Sequence, residues 1–445
     1  MSGPCRSPEL TDVTTGVVGE VEAVLRDLVA GLEPPPGAAR GRGRPRILPA
    51  LCLWAGLLVC VLEGFRSQLA LWRLLSQTGL WDYPRIPISD QAVYHRLARD
   101  GIGPLEHLFA QLSTVLAARL TPSLPHLGDE LAPFAREIMA LDETTLDTLA
   151  RRLPATTDGA ATARRVPGKL AGLFDVRRQQ WQTVQFQADA TQNEKVLARS
   201  LARQLPVGSL LLFDLGYFAF RWFDDLTEEG YFWVSRLRQQ TSYSIVHVFT
   251  QHGDTLDALV WLGAYRADRA KHLVRLVQFR QGGQLRRYLT NVRDPSRLSL
   301  AAIAQLYARR WDFEVAVQLA KQHLGLHLWW STNEVVVQQQ LYAVLIIAQI
   351  LQALRLEIAV RAGVGLFDVS LPLLVRYAPQ FARRGEDPVT VFVTRGRAAG
   401  FIRPSRRIQI QAPDPPLAVA WSLGPVPLQR TPRYAERKCT ARTAV

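Results

Sequence analysis

Tyr307, Arg310, Glu314 and Lys321 lie at offsets of 3, 7 and 14 residues from the tyrosine, in a stretch of helical periodicity with no proline and no glycine before Gly325. At about 100° per residue those offsets fall near −60°, −20° and −40°. One helix would then present a phenol, a guanidinium, a carboxylate and an ammonium within an arc of about 60°. Such a face can hold a metal ion and a phosphodiester together; standing alone, it would equally serve as a solvated face laced with ion pairs. Two upstream carboxylates favour the chemical reading. Asp142 closes the apolar run Ile138–Leu141 and Asp214 closes Leu210–Phe213, both short and apolar on both alternations. That pattern expects central strands covered on both faces. A carboxylate at the end of a buried strand loses hydration and needs a partner. Carboxylates converging at ~4 Å would repel by roughly 1–4 kcal/mol each. A divalent cation relieves this, and hard oxygen donors select Mg²⁺ or Mn²⁺ over zinc.

The spacing Tyr-(2)-Arg-(3)-Glu-(6)-Lys over residues 307–321 resembles the signature of bacterial cut-and-paste DDE transposases of the insertion-sequence-four family. The resemblance extends to Asp-x-Thr at Asp142 and Thr144, to Asp214–Phe218, to Tyr231–Leu237 and to Leu289–Asn291. Gly168–Leu170 with Phe174–Asp175 is similar to that family's second strand, so that about residues 135–355 are covered. Glu143 departs from the pattern, adding an acid where a small or neutral residue is expected.

The resemblance implies an α/β protein with a ribonuclease-H-like core: the first aspartate on strand one, the second after strand four, the glutamate on a later helix. The 72 residues from Asp142 to Asp214 leave room for an antiparallel meander and a helix. The 100 residues from Asp214 to Glu314 exceed one strand–helix connection, and residues 240–292 have the alternation of a β-rich insertion. Two Mg²⁺ ions (or Mn²⁺) held by Asp142, Asp214 and Glu314 would serve phosphodiester cleavage and joining, leaving little for side-chain acid–base work. By the same resemblance Arg310 and Lys321 bind terminal phosphates and Tyr307 contacts a phosphate near the cleaved end. A hairpin intermediate would need a base flipped onto an aromatic residue, with Tyr288 favoured over Trp261 and Trp233. Expected partners are DNA, as inverted-repeat ends and target duplex, and a second copy in an end-paired homodimer. A ribonuclease-H-like nuclease that does not join strands, or a non-catalytic DNA-binding descendant of a transposase, are the alternatives.

Composition agrees: 53 Lys plus Arg against 39 Asp plus Glu give a net charge of +14, which suits a polyanion partner. Four scattered cysteines indicate neither a disulfide scaffold nor a zinc site and point to a reducing cytoplasm; the resemblance implies a bacterial, nucleoid-associated protein. The apolar run Ile47–Leu62 is 16 residues with Pro49 inside, so a buried helix is expected rather than a bilayer span of about 20.

We expect residues 1–130 to form a helical N-terminal DNA-binding domain, 131–239 and 293–360 the two parts of the core, 240–292 the insertion, and 361–445 a basic C-terminal region. Within the first, Arg42 and Arg44 stand in an Arg-Gly-Arg-Pro sequence that matches the core of a minor-groove arm, or serves as a basic linker. Ser89 should cap a helix whose Gln91, His95 and Arg96 are candidates for base contact.

Overall fold

The computed structural model describes residues 47–80, 84–127, 131–146, 168–187, 194–264, 268–326, 328–331 and 333–407, with 410, 412, 421–422, 425 and 427–434. Arg42 and Arg44, and the expected helix 8–32, lie outside the described residues. Among the described residues four α-helices come first: α1 (Ala50–Leu62), α2 (Gln68–Arg73), α3 (Asp90–Asp100) and α4 (Gly103–Leu120). As expected, α1 is a short buried helix, opened by Pro49. Ser89 caps α3 by accepting the Ala92 N–H at 3.3 Å.

Strands β1 (Ile138–Thr145), β2 (Lys169–Asp175) and β3 (Gln180–Gln187) make an antiparallel meander. Helix α5 (Glu194–Ala202) leads to β4 (Leu210–Leu212), parallel to β1, and α6 (Phe220–Glu228) leads to β5 (Phe232–Arg236), parallel to β4. The expected β-rich stretch supplies β6 (Tyr243–His252), β7 (Thr255–Leu262), β8 (Val274–Gln281) and β9 (Gln284–Thr290), turned at Gly253 and at Gly282–Gly283 with positive φ. It extends the same sheet, because β9 pairs with β5. With β10 (Trp421–Ser422) on β6, ten strands run in the order β10-β6-β7-β8-β9-β5-β4-β1-β2-β3. The molecule is thus mixed α/β around one large mixed sheet.

Alternation along each strand divides the apolar side chains between two cores. Met139, Leu141, Leu211, Phe213 and Trp233 face α5 and α6. Ile138, Ala140, Leu210, Leu212 and Val234 face the other way, toward α7 (Leu300–Arg309), α8 (Trp311–Gln318) and α9 (Glu334–Ala362). Helix α9 is long and apolar enough to cross a membrane, yet its most apolar window is 83% buried in the protein. Its glutamines take partners across the core: Gln339 donates to the carbonyls of Leu97 and Gly101, and Gln349 to Ser113. The C-terminal region folds back as α10 (Leu371–Arg383) and α11 (Pro388–Arg395), after which a strap crosses the β6–β9 side, where Arg430 stacks on Trp261.

Candidate active site

The parallel pair β1/β4 positions two carboxylates at one level. Ile138 pairs with Leu210 and Ala140 with Leu212; carried on two residues, that register sets Asp142 beside Asp214. Extended to β5 and β9, the same row reaches Arg236 and then Tyr288. Asp142 and Thr144 share the α8 face by the two-residue period. Glu143 therefore turns to the opposite face, where it pairs with Lys169 of β2. The acid that departs from the motif is thereby removed from the site.

The signature stretch is not one helix. Helix α7 ends at Arg309, Arg310 forms the junction, α8 runs from Trp311 to Gln318, and a π-helical turn spans Leu319–His323. The break has a visible cause. Arg407, from the C-terminal region, donates to the Ala308 carbonyl at 3.0 Å, the acceptor that the Asp312 N–H would use in an unbroken helix. The i→i−3 bonds Arg310 N–H to Tyr307 and Phe313 N–H to Arg310 tighten the junction. The π turn then widens the path, and Lys321 Nζ reaches Thr144 Oγ1 and the Thr145 carbonyl, each at 2.7 Å.

Arg310 is the centre of what results. Its Nη1 donates to Asp142 Oδ2 at 2.8 Å and its Nη2 to Glu314 Oε1 at 2.9 Å, joining β1 to α8. Burial pushes the Asp142 carboxyl up to about 7, opposed by the Glu143 N–H and Arg310 and reinforced by the charges of Asp214 and Glu314. Asp142 thus feels the charge of both other carboxylates. Asp214 caps the turn Leu215–Tyr217, accepting the Gly216 N–H at 2.7 Å through Oδ1; Oδ2 accepts from no described residue. Among the described residues, no three His, Cys, Asp or Glu side chains stand close enough to ligate one metal ion, and Arg310 fills the interval between two of the carboxylates.

Tyr307 lies over Arg310, its phenol pushed up to about 12 by burial, and its ring is 5.1 Å from that of Tyr288. Tyr288 is only 2% exposed and offers no open face to a base; Trp233 and Trp261 are also buried. Trp311, by contrast, is 55% exposed and lies 5.3 Å from the Arg310 guanidinium. It stands outside the signature, although an offset of 4 from Tyr307 sets it about 40° round the helix, beside the signature arc. Arg236, likewise unassigned, was visible only as the residue closing an apolar strand.

Far from this centre, Gln91 and His95 are exposed on α3. Arg96, expected to face DNA with them, turns inward instead. It pairs with Asp100 and donates to the Leu48 carbonyl at 3.1 Å, and is 9% exposed. The apolar contacts of α3 with the rest of the bundle place position 96 on the packed side.

Residues 133–350 match the family described as Transposase DDE domain, and all three carboxylates lie inside that match. The chain is also 30% identical over 166 residues to a Sinorhizobium fredii protein named "Putative transposase y4zB", an alignment covering 36% of this chain and 45% of that one, under half of its length. Among solved structures it is similar to the piggyBac transposase in a synaptic complex with hairpin DNA, at 10% identity and a TM-score of 0.38 over 88% of this chain and 84% of that one.

Proposed function

We propose that the protein is a DNA transposase that binds the ends of an insertion sequence, cleaves phosphodiester bonds and joins the ends to target DNA. The observation that carries this is the Arg310 bridge. Two carboxylates 172 residues apart in sequence are drawn onto one guanidinium, with a third beside them, inside the stretch that matches the Transposase DDE domain family. The order β3-β2-β1-β4-β5, with β4 and β5 parallel to β1, supports a ribonuclease-H-like core. The spacing Tyr307, Arg310, Glu314, Lys321 supports the insertion-sequence-four family.

The donor set fits divalent metal. Asp142, Asp214 and Glu314 offer hard oxygens, and burial, the main cause of the raised Asp142 carboxyl, makes its charged form costly unless a cation stands beside it. Mg²⁺ bound there would supply an activated water or 3′-hydroxyl and offset charge on the transferring phosphate. The chain's own residues divide the remaining work. A substrate phosphate draws Arg310 off its two carboxylates and freeing them is what readies them as ligands. Arg310 then holds that phosphate in a two-pronged grip. Lys321, fixed on the Thr144 side, supplies a point charge at a second phosphate. Trp311 replaces Tyr288 as the aromatic platform for a flipped base in a hairpin intermediate, because it alone of these rings has an open face. Exposed Gln91 and His95 remain the candidates for end recognition, and two copies would pair two ends.

The test is excision and joining by purified full-length protein, with Mg²⁺, on a donor bounded by the inverted repeats that flank its coding region. Release and joining of the fragment are expected. Cleavage without joining would point to a nuclease, and binding without cleavage to a non-catalytic descendant. Cleavage that survives Asp142→Ala would overturn the site.

A further inference from the structure

Behind the signature helix, on the side away from Asp142, runs a basic groove that the site does not use. A channel of about 770 Å³ lies between the end of α1, the π turn at Gln322–His323, and α10. A second, of about 380 Å³, lies between α8, the turn Phe367–Ser370 and the segment Arg403–Arg406. Both are lined by His323 and Pro372, so they meet there. On α10, Arg376, Gln380, Arg383 and Arg384 recur at i, i+4, i+7 and i+8, one stripe rising about 12 Å. Arg376, Arg384, Arg403 and Arg406 are exposed and pair with no carboxylate among the described residues. The acids present are already committed: Glu63 to Arg383, and Asp368 to the N–H groups of Gly365 and Ser405.

We propose that this groove is a second DNA track, which takes the phosphate backbone of a duplex without reading its sequence. Four guanidiniums without a carboxylate partner among the described residues, set along a channel, match a row of phosphates, and contacts of this kind position a duplex but carry no base information. A second copy of the chain fits less well, since a protein of net charge +14 would have to bring a strongly acidic face. The track deepens the transposase reading, and rests on it only for which DNA lies there: the target or flanking duplex, since the ends must enter the Arg310 side.

The experiment measures binding of full-length protein to a random-sequence duplex by fluorescence anisotropy, in EDTA, across a salt series. Arg376→Ser/Arg384→Ser/Arg406→Ser is compared with the charge-matched Arg203→Ser/Arg221→Ser/Arg280→Ser, exposed sites elsewhere, and melting curves check that both fold. At about 0.9 per lost phosphate contact, the groove variant should lower the log–log salt slope by about 2–3 and weaken binding more than tenfold, the control by much less. Equal slopes for the two variants overturn the proposal, as does a groove variant that binds duplex normally but no longer binds polyglutamate. Cleavage assayed in parallel separates the two readings: a lowered slope with a wild-type protein that never cleaves keeps the track and sinks the transposase.

Discussion

Arg309 and Arg310 are neighbours in sequence and similarly buried, yet they build two different things. Arg310 points to the sheet end and bridges Asp142 and Glu314, whose side chains are 16% and 38% exposed. Arg309 points the other way, to Asp312, which is completely buried. Asp312 takes Arg309 Nε at 2.6 Å, Gln179 Nε2 at 2.7 Å and Arg407 at 2.5 Å, while Arg309, Arg355 and Arg407 all lie against the ring of Phe367. Both are guanidinium–carboxylate clusters. One is closed around its charges and rivets the β2–β3 turn, the helix junction and the C-terminal region together. The other opens to solvent, so its ions can be exchanged for a substrate's. Solvent access, not residue type, separates the rivet from the site.

Removing the proposed metal ligands should have the largest effect. Asp142→Ala, Asp214→Ala and Glu314→Ala are each expected to reduce strand cleavage by roughly 10³-fold or more, the several kcal/mol that metal catalysis supplies, while end binding in a gel-shift assay stays near wild type. On the closed cluster the loss should fall on stability instead. Asp312→Ala leaves the buried Arg309 and the half-buried Arg407 without their carboxylate and should cost roughly 3–5 kcal/mol in urea denaturation. If Asp312→Ala melted like the wild type but lost activity, the division between rivet and site would fail.

A pH series sharpens the contrast further. An ordinary aspartate ionises near 3.9 in the unfolded chain, whereas the folded Asp142 does so at about 7. The native state then binds the proton more tightly, so this group subtracts stability as pH rises from ~4 to ~7 and by a constant amount above. In metal-free protein Asp142→Asn should therefore be stabilised relative to wild type by roughly 2–4 kcal/mol at pH 8 and not at pH 4. Thermal melts at the two values decide this; a gain independent of pH would assign it to another cause. The smallest effect concerns the bridge itself. Without DNA, Arg310→Ala should bind Mn²⁺ about tenfold more tightly than wild type by calorimetry, because the internal cation is gone. Equal affinity would mean that Arg310 does not compete for the carboxylates.

Much of this was legible in the chain. The runs ending in Asp142 and Asp214 are strands because short, doubly apolar segments bounded by polar residues have few other ways to be buried. Ser89 capped its helix, and residues 240–292 formed strands, because turn chemistry and alternation act over a few residues. The helical wheel brought Arg310 and Glu314 to one face because they are close in sequence. Periodicity could not foresee the break at Arg310, because the competitor for the Ala308 carbonyl comes from Arg407, 99 residues away. Nor could it tell Arg309 from Arg310, Arg96 from His95, or Tyr288 from Trp311. In each of these cases the residue type allows either burial or exposure, and the choice depends on which distant surface arrives to cover it. Local patterns determined the elements and the chemistry on offer; packing between remote segments decided which charges stay open to react.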